Sequence, residues 1–116
     1  MFDFSLRHDG DQTLLAVSGT IEGDADVERL GETFALVPAG DDLLLNVSGV
    51  RAISPDGATA LHELLASRAS RAFIVVVSTC EAVSMELVLH DIDRLCPIVP
   101  TVDDALEILD ARWARM

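Results

Sequence analysis

The chain has 116 residues, with Asp+Glu 20 against Lys+Arg 8, a formal net charge of -12 and 50% hydrophobic residues. This length fits one domain spanning residues 1–116, and so large an apolar fraction excludes a disordered acidic tail, which could not offset its ordering entropy. The charge argues against nucleic acid and anionic membrane surfaces, and because all 8 cations are Arg, mechanisms that need a lysine, such as a P-loop or a Schiff base, are excluded.

Phe2, Phe4 and Leu6 alternate with Asp3, Ser5 and Arg7, the period of a strand with one buried face. Asp9-Gly10-Asp11 is turn chemistry and Thr13 to Val17 resumes an apolar strand, so the two read as an antiparallel hairpin. Gly19 to Gly23 reads as a loop. Asp24 can then cap a helix with Val27, Leu30, Phe34 and Val37 on one face, ended by Pro38-Ala39-Gly40.

Leu43 to Val47 and Phe73 to Val77 are nearly continuous apolar runs, which suit strands buried on both faces and paired in parallel. Between them Ala58 to Arg71 carries Leu61, Leu64, Leu65 and Arg68 on one stripe and reads as a crossover helix. Glu81 to His90 predicts a shorter helix, and Cys96-Pro97-Ile98-Val99 a short strand whose proline favours an edge. Thr101 caps a last helix with Val102, Ala105, Leu106 and Leu109, and Trp113 one turn further on. The order β-β-α-β-α-β-α-β-α predicts an α/β domain with a mixed sheet and helices packed on it.

Chemistry concentrates in Ser48-Gly49-Val50-Arg51-Ala52-Ile53-Ser54-Pro55-Asp56-Gly57, which follows a buried strand and opens a helix, where backbone N–H groups meet the positive helix end. Ser54 fits as N-cap, Pro55 as first helical residue and Asp56 as a first-turn carboxylate. A well-made helix start explains these residues by itself, since losing a cap costs about 1 kcal/mol.

The same stretch resembles the STAS domain, the fold of anti-sigma factor antagonists (anti-anti-sigma factors) and of sulfate-transporter tails. Members read strand, D-L-S-G-V, a short link, D-S-S-G, then helix. Here Asn46-Val47-Ser48-Gly49-Val50 matches the first motif, and Ser54-Pro55-Asp56-Gly57 stands in the place of the second. Val17-Ser18-Gly19-Thr20-Ile21-Glu22 resembles the S-G-x-L-D turn of the family. Asp93 to Leu106 resembles its terminal L-D-R-x-F-P-I-Y-x-S-x-x-E-A-L segment. The likeness runs from about Phe4 to Leu109, and its strength lies in four motifs standing in order on suitable elements.

The resemblance implies a STAS-like fold and a non-enzymatic regulator of transcription that binds a protein partner, a kinase-type anti-sigma factor or a related regulator. In the family the second serine of D-S-S-G accepts phosphate from that kinase, and phosphorylation blocks binding. This chain departs from the pattern: Asp56 occupies that position, Pro55 the preceding one, Ser54 the place of the family's aspartate, and Asn46 replaces an acid. A phosphoserine carries about -1.5 to -2 charges and a carboxylate -1, so Asp56 either mimics the phosphorylated state permanently or marks a domain without its switch. Ser54 is an alternative acceptor, although a capping hydroxyl is already engaged, and Thr59 is another. By resemblance, the turn with Glu22 and the helix start at Ser54, Pro55, Asp56, Gly57 and Thr59 form the partner face, with Ser48, Gly49 and Arg51 at its rim.

The receiver domains of two-component signalling also place an aspartate at a strand end, but they need an acid pair after the first strand, which here ends in a hairpin, and a lysine, which the sequence lacks. His8, His62 and His90 are scattered, and no C-x-x-C or H-x-x-x-H spacing occurs, so neither a metal nor a cofactor is expected. No nucleophile–histidine–acid set assembles, and no catalytic residue is expected. Asp24, Asp26, Glu28 and Glu32 read as a solvated face of the first helix, or as a patch for a basic partner.

Met1-Phe2-Asp3-Phe4 has no cationic n-region, and no apolar run approaches the roughly 18 residues of a membrane span. A cytoplasmic protein with Cys80 and Cys96 as free thiols is therefore expected, Cys96 packing as a small hydrophobe, in a monomer or weak homodimer. Two other functions fit the same resemblance: a STAS subunit of a membrane lipid-transport ATPase complex, and a small-molecule or nucleotide sensor.

Overall fold

The computed structural model describes residues 1–114, with the backbone alone for 112–114, so the expected placement of the Trp113 side chain lies outside the described residues. The chain begins with an antiparallel hairpin of β1 (Phe2–Asp9) and β2 (Gln12–Ile21), turning at Gly10-Asp11. Helix α1 (Gly23–Ala35) leads to β3 (Asp42–Ile53), α2 (Pro55–Ala69) to β4 (Ile74–Val77), and α3 (Glu81–Leu89) with α4 (Ile92–Leu95) to β5 (Ile98–Val99). Helix α5 (Val102–Ala114) follows. The sheet order is β1-β2-β3-β4-β5, and every pairing from β2 onward is parallel. The mixed α/β architecture expected from the sequence is thus present, with β5 on the edge, where Pro97 removes no ladder hydrogen bond.

The two faces of the sheet are covered unequally. Phe2, Leu15, Val17, Leu43, Leu45, Val47, Ile74 and Val76 pack under Leu30 and Phe34 of α1, Leu61 and Leu65 of α2, and Val83 and Leu87 of α3. On the other face Leu44, Val75 and Val77 pack with the buried Ala105 and Leu109 of α5, flanked by the partly buried Leu14, Phe73, Val99, Val102, Leu106 and Ile108. That single helix leaves the β1–β2 half of its face open, which is why Asp3, Ser5 and Arg7 are exposed there. Parallel strands joined by right-handed crossovers in one direction put all their helices on one side, so α5 alone remains for the other.

Five expectations need correction. β2 does not stop at Val17: it runs to Ile21, so Gly19 to Ile21 belong to the sheet and not to a loop. β3 does not stop at Val47 either and continues through Ser48-Gly49-Val50-Arg51-Ala52 to Ile53. It uses 12 residues against the 10 of β2, the difference being taken up by two register shifts, between Ala16 and Ser18 and between Gly19 and Thr20. Bulges of this kind hide a strand from a period-two reading.

Helix α1 begins at Gly23 with Glu22 as N-cap residue, so Asp24 does not cap it, and it ends at Ala35, before Pro38. Val37 is buried but lies beyond the helix. The guanidinium of Arg68, reaching from α2, donates to the Phe34 carbonyl and at 3.4 Å to that of Pro38. This satisfies the end of α1 with a cation at its negative pole. Asp26 is not on the solvated face: it is 7% exposed and paired, as described below. Finally, α4 adds a helical turn where the sequence suggested only a connection.

Other expectations hold. Ser54 caps α2, Pro55 opens it, and the Thr101 hydroxyl accepts from Asp104 N–H at 3.1 Å. Both cysteines are free, and Cys96 is buried with its thiol pushed up to about 11 by burial. Among the described residues no helix is long and apolar enough to cross a membrane.

Candidate functional site

The C-terminal ends of β2 and β3 leave the sheet together, their last register pair being Ile21↔Ile53. The next amide, Ser54 N–H, donates to the Ile21 carbonyl at 2.9 Å, so the chain enters α2 while still tied to β2. Ser54 has extended backbone, and its hydroxyl oxygen accepts from Gly57 N–H at 3.0 Å, satisfying one of the orphan amides of the first turn.

Gly57 is required for a different reason. A Cβ on it would lie 2.8 Å from the Ile21 carbonyl oxygen and 3.0 Å from Ile21 Cγ2. The first turn of α2 therefore packs directly on the end of β2, and only a residue without a side chain permits that approach. The consequence is positional: the β2–α1 turn with Glu22 and the start of α2 with Asp56 are held side by side.

Each turn has its own internal support. The Glu22 amide donates to Asp26 Oδ2 at 2.9 Å, and the Met1 ammonium lies 2.6 Å from the same oxygen. The ammonium first and the Glu22 amide second hold the Asp26 carboxyl below its usual value of 3.8, which favours its carboxylate form. Met1 is itself fastened, its carbonyl accepting from Thr20 N–H at 2.9 Å. Gly19, at φ 106°, allows this crossing, since a Cβ there would stand 2.7 Å from the Met1 oxygen. No buried side-chain polar atom among the described residues lacks a partner.

Pro55, Asp56, Thr59 and Glu22 are exposed, while Ser54 is half-buried and Gly57 buried. Asp56 stands in the first turn of α2 with its carboxylate toward solvent, where the helix dipole favours negative charge. The Thr59 hydroxyl donates to the Pro55 carbonyl at 3.0 Å. Ser54 and Thr59 are thus both engaged with the α2 backbone, and Asp56 is the free polar group between them.

Ser48, Gly49 and Arg51 belong to a different place. Ser48 and Gly49 line a groove of about 430 Å³ over the open sheet face with Asp3, Ser5, Ser18 and Asn46. Arg51 lines an adjoining groove with Met1, Asp3 and Thr20. The Asn46 side-chain oxygen accepts from both the amide and the hydroxyl of Ser48, at 3.0 and 2.6 Å. The fold therefore brings Glu22, Ser54, Asp56 and Gly57 together on the helix side, whereas Ser48, Gly49 and Arg51 face the uncovered side of the same sheet end.

The residues that sequence reasoning missed here are Ile21 and Asp26, whose part is to position others. Asp26 four residues after Glu22 is a pattern compatible with a carboxylate reaching back to a helix start, and it was legible in principle. The contact of Ile21 with Gly57 had no sequence signal, because it joins two elements more than thirty positions apart. Among the described residues no cluster of His, Cys, Asp or Glu is arranged to hold a metal ion. The arrangement presents the Asp56 carboxylate in the first turn of α2, beside the turn that carries Glu22.

No protein-family model and no curated protein matches the sequence. Solved structures do. The chain is similar to an anti-sigma factor antagonist from Mycobacterium paratuberculosis, with TM-score 0.75 and 22% identity over 93% of each chain. It is equally similar to a protein of Thermotoga maritima assigned as an anti-sigma factor antagonist, with TM-score 0.74 and 22% identity over 90% of this chain and 92% of that one. An uncharacterized Shewanella loihica protein with a SpoIIAA-like fold aligns with TM-score 0.62 and 14% identity over 93% of each chain. With its mixed five-stranded sheet and the helix start built on the end of β2, the chain has the STAS-domain fold of the anti-sigma factor antagonists.

Proposed function

We propose that this chain is a non-enzymatic cytoplasmic regulator that binds a protein partner, a kinase-type anti-sigma factor or a relative of one, through the paired turns at Glu22 and Asp56. It works without serine phosphorylation at the usual position, because Asp56 occupies it. The observation that carries this reading is the exposed Asp56 carboxylate at the N-terminus of α2, held beside the Glu22 turn by the Gly57–Ile21 contact. A rigid, charged helix start steers and orients a partner more than it adds affinity. Ser48, Gly49 and Arg51 enter only if the partner wraps around the end of the sheet.

The test is to mix the protein with the anti-sigma proteins encoded in the same genome and follow complexes by size exclusion, with and without ATP. The expected result is a complex indifferent to ATP, no phosphate on Ser54 or Thr59, and phosphate acceptance in the Asp56→Ser variant. Absence of a complex with every candidate, or phosphorylation of Ser54 in the unaltered protein, would overturn the reading.

A further inference from the structure

Helix α3 has the sequence EAVSMELVL, in which six of nine residues are apolar. A helix apolar on all sides is ordinarily enclosed on all sides. This one is enclosed on one side only. Val83 and Leu87 are buried in the core, while Met85, Val88 and Leu89 are 59%, 50% and 70% exposed. Three of the five large exposed hydrophobic side chains of the described chain thus sit on this one helix, at i, i+3 and i+4. Exposed apolar residues scattered singly are normal, but a contiguous patch marks an interaction surface. These three side chains, with Glu81 and Ser84, line a shallow groove of about 290 Å³.

Charge identifies the occupant. Helix α3 carries no cation, Glu81 borders the groove at one end, and the exposed Asp91 and Asp93 follow its other end. The nearby Arg94 lies 3.5 Å from Asp91, which turns that cation toward its own neighbour. A second copy of the chain would bring the same acidic rim and another formal charge of -12. An anionic bilayer is repelled for the same reason. We infer that the outer face of α3 is a docking surface for an amphipathic helix of a protein partner, with apolar residues at i, i+3 and i+4 toward Met85, Val88 and Leu89 and Lys or Arg at its margins. Helix-in-groove recognition of this kind takes its affinity from the apolar anchors and its selectivity from the flanking charges. This surface is separate from the α2 start, so its fate does not depend on the function proposed above.

The test uses a fluorescent peptide of about five helical turns built from Leu on one face and Lys on the other, titrated by anisotropy against the full-length protein. The double variant M85Q/L89Q leaves the net charge untouched, and L36Q alters an exposed leucine elsewhere. The expected result is binding to the unaltered protein and to L36Q, weakened about tenfold in M85Q/L89Q, and little binding of the Leu/Glu counterpart. Circular dichroism of the variants should match the unaltered protein, since the changed side chains are exposed. Equal affinity for the unaltered protein and M85Q/L89Q would reduce the attraction to charge alone and overturn the proposal. So would a homodimer seen by light scattering that M85Q/L89Q abolishes, or sedimentation with phosphatidylcholine vesicles that M85Q/L89Q abolishes.

Discussion

Helices α2 and α3 both follow buried parallel strands and pack on the same face of the sheet, yet their beginnings are built by different means. The start of α2 is specified atom by atom: Ser54 caps it, Pro55 opens it, and Gly57 lets it rest on Ile21. The start of α3 has Cys80 at its N-cap with no side-chain hydrogen bond to the first turn, and its support comes from Val83 and Leu87 in the core. The first design fixes where an exposed carboxylate stands. The second fixes only that a helix lies there, and leaves its outer face free to be apolar. Position at α2 and surface at α3 are separate investments of the same short sequence.

Substitutions can break or sharpen this contrast. The largest effect is expected for Gly57→Ala. Ala gains at most about 1 kcal/mol of helix propensity, but the new Cβ would meet a backbone oxygen at 2.8 Å, which cannot swing aside as a side-chain end would. Overpacking wins, with a net loss of about 1–3 kcal/mol in urea unfolding. No loss of stability would mean that the α2 start and the β2 end are not rigidly joined.

Removing the cap by Ser54→Ala is expected to cost about 1 kcal/mol by the same measurement. The converse change at α3, Cys80→Ser, places a capping hydroxyl on a residue whose backbone is already extended, at φ -78° and ψ 118°. A gain of about 0.5 kcal/mol is expected, reduced from a full cap because the Cys80 sulfur packs in part against the core. Loss of stability in Cys80→Ser would show that packing, and not the missing cap, governs that position.

Much of this was legible in the residues themselves. Ser54-Pro55-Asp56-Gly57 announces a helix start because capping is chemistry within four consecutive positions, and the same holds for Thr101 and Asp104. The apolar runs at Leu43 and Phe73 announce buried parallel strands because both faces of such strands are covered. The extension of β3 from Ser48 to Ile53 was not legible: its open-face residues are polar, and two bulges interrupt its alternation. Nor was the end of α1, since the spacing of Leu30, Phe34 and Val37 continues past the point where Arg68 of another helix takes over the last carbonyls. Asp26 looked like one more surface acid because the Met1 ammonium, its partner beyond the local Glu22 amide, comes to it only when β1 lies beside β2.

For the candidate site, the identity of each residue at the α2 start was readable, but its company was not. The division of the expected rim arises because the end of β3 and the start of α2 lie on opposite sides of one sheet: Ser48, Gly49 and Arg51 of β3 toward the open face, Ser54 to Thr59 toward the helices. Facing depends on register, and register is set by a neighbouring strand.

The amino-acid order alone thus determined the element types, the parallel core strands and the chemistry of the α2 start, since each depends on periodicity or on contacts within about one helical turn. Tertiary structure alone decided that Glu22 and Asp56 share one edge, that Asp26 is buried beside the Met1 ammonium, and that one side of α3 stays uncovered. Those outcomes depend on distances between segments remote in sequence, which close packing of the whole sheet and its helices sets all at once.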